Sequence, residues 1–147
     1  MAIWQYTIEL IPKRALPDLG ASGFITLENY DNVNYWKDFD LQIEFFDSLT
    51  SSLKRSKSWC DEIVLFGDKD STCIQIFIDL DKISGINVRL DIRTNYSNIL
   101  NNLIEFCQMK EFVILDNLKI LVLNEIAITQ HIQNSDQLDS YNRLFIN

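Results

Sequence analysis

Two consecutive stretches constrain the fold most. Thr72, Ile74, Ile76, Ile78 and Leu80 recur at every second position, with Gln75, Phe77 and Asp79 between them. Ile86, Val88, Leu90 and Ile92 repeat the pattern, alternating with Asn87, Arg89, Asp91 and Arg93. A period of two sends successive side chains to opposite faces, so each stretch reads as a strand with one buried face. A tight connection at 82–84 pairs Leu80 with Ile86 and Ile76 with Leu90. That register keeps every Ile and Leu on one side of a hairpin.

The rest of the chain falls into line with an antiparallel sheet. Trp4, Tyr6, Ile8 and Leu10 alternate with Gln5, Thr7 and Glu9, predicting a half-buried strand stopped by Pro12. Residues 24–27 offer a short further strand. The apolar run 62–66 ends at Gly67-Asp68, a turn signal. Residues 112–115 and 118–123 flank Asp116-Asn117, which suits the left-handed backbone of a hairpin turn. Both faces of that hairpin are apolar.

Helical spacing occurs three times. Over 39–55, Phe39, Ile43, Phe46, Leu49 and Leu53 share one side while Asp40, Glu44 and Asp47 share another. Asn95 can cap a helix over 96–110, and Ser135 can cap a last one carrying Leu138, Tyr141, Leu144 and Phe145. Residues 125–133 are ambiguous between the two periods. The expectation is one α+β domain over residues 1–147: a mostly antiparallel sheet with two to three amphipathic helices packed mainly on one face. A chain of 147 residues buries enough surface to need neither disulfide nor metal.

Charge narrows the function classes. Twenty-one acids face 13 bases, a net charge of −8. Neutralising nucleic-acid phosphates or an anionic membrane surface requires the opposite excess, so neither is an expected partner. No run of apolar residues is long enough for a spanning helix, and no basic leader precedes an apolar segment. Cys60, Cys73 and Cys107 are odd in number and widely spaced, which suits neither a disulfide framework nor a zinc site. A cytoplasmic location is expected.

Motifs for chemistry are sparse. Four scattered glycines cannot build a phosphate loop. His131 is the single histidine and reads as incidental, since a triad needs a nucleophile and an orienting acid beside it. Asp68, Asp70, Thr72 and Asp79 imitate a calcium loop, but Cys73 stands where glycine is needed and Asp79 where glutamate is needed. Arg89, Asp91 and Arg93 read as a solvated sheet face. No catalytic, cofactor-binding or metal-ligating residue is expected.

The acids are unevenly distributed. Residues 28–81 hold twelve acids and five bases, which is −7 of the total −8. Tyr30, Tyr35 and Trp36 interleave with Asp31 and Asp38 just before the acidic side of the 39–55 segment. Aromatics anchor interfaces, and acids steer a basic partner. The expected partner-binding set is therefore Tyr30, Asp31, Tyr35, Trp36, Asp38, Asp40, Glu44 and Asp47, with Trp36 as anchor.

A small acidic α+β chain without catalytic motifs has the character of an inhibitor or immunity-type protein. Its partner would be a basic protein such as a bacterial toxin or nuclease, basic for reasons of phosphate attraction. Two alternatives stand beside this. One is a small enzyme using Asp/Glu acid-base chemistry. The other is a homo-oligomeric assembly subunit joined through the two-faced hairpin. A monomer is expected, with the 125–145 segment covering the hairpin, and a homodimer is the alternative.

Overall fold

A computed structural model describes residues 2–16, 23–26 and 35–146 of the chain. Among these residues seven strands build one sheet: β1 Gln5–Pro12, β2 Arg55–Ser56, β3 Ile63–Gly67, β4 Cys73–Asp79, β5 Lys82–Asp91, β6 Phe112–Asp116 and β7 Lys119–Leu121. Their order is β2-β3-β4-β5-β1-β6-β7, and every pairing is antiparallel. Among the described residues four α-helices accompany them: α1 Asp47–Thr50, α2 Ser97–Lys110, α3 Glu125–Gln133 and α4 Asp136–Phe145. The fold is α+β as expected, with four helices rather than two to three.

The alternating residues decide where the core lies. Tyr6, Ile8 and Leu10 of β1 stand opposite Leu90, Val88 and Ile86 of β5, and all six are buried. Ile74 and Ile76 of β4 and Phe112 and Ile114 of β6 extend that inner face. Leu100, Leu103, Ile104, Phe106 and Cys107 of α2, with Ile128 and Ile132 of α3, join the same core cluster. Each fully buried Ile, Leu or Phe contributes about 1.5–3 kcal/mol, so this face dominates the stability.

The β4–β5 register differs from expectation. Ile76 pairs with Ile86, and the turn is Leu80-Asp81, both left-handed at φ 48° and 62°. Two left-handed residues match the twist of the flanking strands, which a wider turn at 82–84 does not. The difference is an even number of residues, so the buried faces survive. An irregularity between Phe77 and Ile78 adjusts the last pairs. Leu80 consequently leaves the buried row and stands on the turn tip. In the β6–β7 hairpin the turn residues are Asn117-Leu118, at φ 45° and 70°, one position later than expected. Asp116 is thereby kept in the strand, opposite Lys119.

Other segments also depart from local pattern. In place of a helix over 39–55, the chain makes a 3-10 turn at Ile43–Phe46 and the single α turn α1. Here aromatic packing overrides spacing: Phe45 and Phe46 both join Phe106 and Phe112, with ring centroids 5.2–6.2 Å apart. Phe24 forms one isolated bridge to Lys119, and Leu27 lies outside the described residues. The ambiguous 125–133 stretch is helical, with Asn124 accepting from the Ala127 N–H at 3.0 Å. Its Ile128 and Ile132 share the core with Phe112, Ile114 and Leu121 of the hairpin. Ser135 caps α4 as expected, accepting from the Leu138 N–H.

Candidate functional site

The expected partner-binding residues separate into three groups. Tyr30 and Asp31 lie outside the described residues. Tyr35 and Trp36 are inside the fold, 5% and 4% exposed, which corrects their expected role as exposed anchors. The cause is β6: Phe112 reaches the inner face, and the Trp36 ring sits 5.7 Å from it and 6.5 Å from Phe46. An indole gains more from that slot than from water. Asp38, Asp40, Glu44 and Asp47 are exposed. They do not share one helix face, because Asp40 precedes the 3-10 turn and Asp47 opens α1.

Acid exposure is a property of the whole segment. Between positions 38 and 81 all ten acids are exposed. Among the described residues the ion pairs are Asp91–Arg93 and Asp116–His131, so none of these ten is neutralised by a neighbour. Lys54, Arg55, Lys57 and Lys69 are exposed in the same stretch, so its surface is of mixed sign with an excess of six acids, ten against four. Its field is screened beyond about 8–10 Å at physiological salt.

Asp91 was expected in solvent and is 0% exposed, a second correction. The loop between β3 and β4 folds across this end of the sheet. Its Ser71 hydroxyl donates to Asp91 Oδ2 at 2.8 Å, and the Asp91 N–H donates to Thr72 Oγ1 at 3.0 Å. Arg93 closes the carboxylate with Nε at 2.9 Å and Nη2 at 2.7 Å, plus its own N–H at 3.0 Å. The Arg93 guanidinium holds the Asp91 carboxyl below the usual range, helped by Ser71 against the opposing effect of burial. Trp4 stacks on Arg93 at 4.4 Å, and Gln5 holds the loop carbonyls of Lys69 and Ser71 at 2.7 Å each. Phe77 pairs with Gly85.

A groove of about 1500 Å³ opens on the other side of β1. Thr7, Glu9, Asn87 and Gly85 contribute from the strands, while His131, Asn134 and Ser135 contribute from the α3–α4 junction. On its wall, Asp116 Oδ2 accepts from the Tyr6 hydroxyl at 2.5 Å and lies 2.6 Å from His131 Nε2. An ionised carboxylate only accepts, so Nε2 carries the proton in that contact. Burial, then the Asp116 hydrogen bond and charge, push the Tyr6 phenol well above its ordinary range. Tyr6 and Asp116 are buried and His131 is partly exposed. Sequence reading missed this trio. Asp116 carried only a turn signal, and no local pattern links it to Tyr6.

No group of three or more His, Cys, Asp or Glu among the described residues is arranged to hold a metal ion. No helix among them is long and apolar enough to cross a membrane. No protein-family model, curated protein or solved structure matches this chain.

Proposed function

We propose that this chain is a non-enzymatic acidic binding protein of inhibitor or immunity type, which neutralises a basic protein partner. The observation that carries the reading is the run of ten exposed acids between positions 38 and 81, none in an ion pair among the described residues. Unpaired surface acids raise the association rate of a basic partner and suppress acidic competitors. Nucleases and related toxins are basic because they approach phosphates, so they fit such a surface.

The test uses the purified chain as bait for the soluble protein of its own cell at low salt. The expected result is retention of a basic protein whose activity is abolished at equimolar chain. Retention of no basic protein, or of one that keeps its activity in the complex, overturns the reading.

A second reading rests on the Asp116–His131 contact beside the groove. With Nε2 held by the carboxylate, Nδ1 of a neutral His131 is the ring's basic atom, as acid-base catalysis requires. Turnover of an ester or phosphodiester panel that disappears in His131→Gln supports this enzyme reading, and absence of turnover counts against it.

A further inference from the structure

With Trp36 buried, the acidic segment needs another apolar anchor if it is to hold a partner as well as attract one. Exposed large apolar residues are present at one end of the sheet. Trp59, in the β2–β3 connection, is 58% exposed, and Leu80, on the β4–β5 turn, is 90% exposed. The two elements are tied together. The Ile78 N–H donates to the Glu62 carbonyl at 2.7 Å, Ile63 pairs with Phe77, and the Ile63 N–H closes a turn onto the Cys60 carbonyl.

Four exposed acids sit in the same two connections and strand ends: Asp61, Glu62, Asp79 and Asp81. Lys57 and Lys82 are the bases in these two connections, so this corner carries two more acids than bases, and the exposed Lys13 and Arg14 follow the adjoining end of β1. None of the four acids and two lysines of the corner is in an ion pair among the described residues.

Leu80 also runs against the needs of the fold. At φ 48° its backbone is left-handed, a conformation that glycine or asparagine adopts with ease and leucine resists. Packing does not explain the choice, because the side chain projects into water.

We infer that the corner formed by the β2–β3 and β4–β5 connections is the docking surface for the basic partner, with Trp59 and Leu80 as apolar anchors beside Asp61, Glu62, Asp79 and Asp81. The inference rests on the proposed function and deepens it. Charge complementarity commits the surface to a basic protein. A second copy would bring four more acids, and a net charge of −8, against the same four.

The test compares native bait with Trp59→Ser, with Leu80→Gly and with Asp61→Lys/Glu62→Lys/Asp79→Lys/Asp81→Lys. The probe is the basic soluble protein of the source cell collected on a cation exchanger. Unfolding curves first confirm that each variant folds, and Leu80→Gly suits the left-handed turn. The expected result is one basic protein bound by native chain, at least about 30-fold more weakly by Trp59→Ser and by Leu80→Gly. The quadruple reversal should slow its association about tenfold, with the difference shrinking at high salt. Equal binding by all variants overturns this docking surface and leaves the proposed function standing. Capture of no basic protein by native chain removes both. Self-association of native chain that Trp59→Ser abolishes assigns the patch to a second copy and overturns the inference.

Discussion

The Tyr6 hydroxyl donates to Asp116 Oδ2 at 2.5 Å and joins β1 to the end of β6 across 110 residues of sequence. Because the acceptor is a carboxylate, Tyr6→Phe should cost about 1.5–3 kcal/mol in urea unfolding. The phenol titrates above its ordinary value in the folded chain. Above about pH 10 the unfolded chain therefore releases a proton that the native chain keeps, and stability falls as pH rises. Tyr6→Phe should remove that part of the alkaline loss, and an unchanged alkaline limb would contradict the contact.

Asp91 gives the opposite limb. Its carboxyl is held below the ordinary range, mainly by Arg93. The stabilisation is complete above the unfolded value of about 3.9 and disappears as pH falls through the lower folded value. Asp91→Ala leaves Ser71 and the Arg93 N–H without their acceptor and should cost about 3 kcal/mol at pH 7. Asp91→Asn should flatten the acid side of a stability–pH curve. A loss near 0.5 kcal/mol in either variant would return this residue to the solvated face expected from sequence.

Trp36 and its acidic neighbours should separate cleanly. Trp36→Ala empties a buried slot beside Phe46 and Phe112 and should cost about 3–5 kcal/mol. Reversing Asp38, Asp40, Glu44 and Asp47 to Lys should change stability by no more than about 1 kcal/mol, since all four are exposed. The same reversal should slow capture of a basic partner, most visibly at low salt. Thermal melts and stopped-flow association measure the two halves.

The thiols should react unequally. Burial raises Cys107 to about 12 and also raises Cys73, where the Arg89 charge offsets part of the shift. Cys60 is half-buried. A thiol-specific chromophore at pH 8 should therefore label Cys60 first, and Cys60→Ser should remove the fast phase. The other two should label only with unfolding.

Legibility from sequence followed the range of each interaction. Period-two alternation located β1, β4 and β5 and their buried faces, because a strand's faces depend only on its own residues. Register was less secure, since a shift by an even number of residues leaves every face unchanged. Segment 39–55 was misread because helical spacing and aromatic clustering both draw on the same Phe and Leu positions. Trp36, Asp91 and Asp116 were misjudged for one shared reason. Their burial depends on Phe112, Ser71 and Tyr6, partners that local pattern cannot select. The ten exposed acids were legible at once, because charge needs no partner to be counted.

β1 is the first strand of the chain, yet it occupies the interior of the sheet between β5 and β6. Its earliest hydrogen-bonding neighbour begins at Lys82 and its other at Phe112. During synthesis, Tyr6, Ile8, Leu10 and Ile11 therefore leave the ribosome long before either flank exists to receive them. The meander β2 to β5 can zip up by short hairpins, but the sheet closes only after most of the chain has been made. A nascent chain of this kind carries an apolar ribbon with both edges open, and closing it must wait on long-range search.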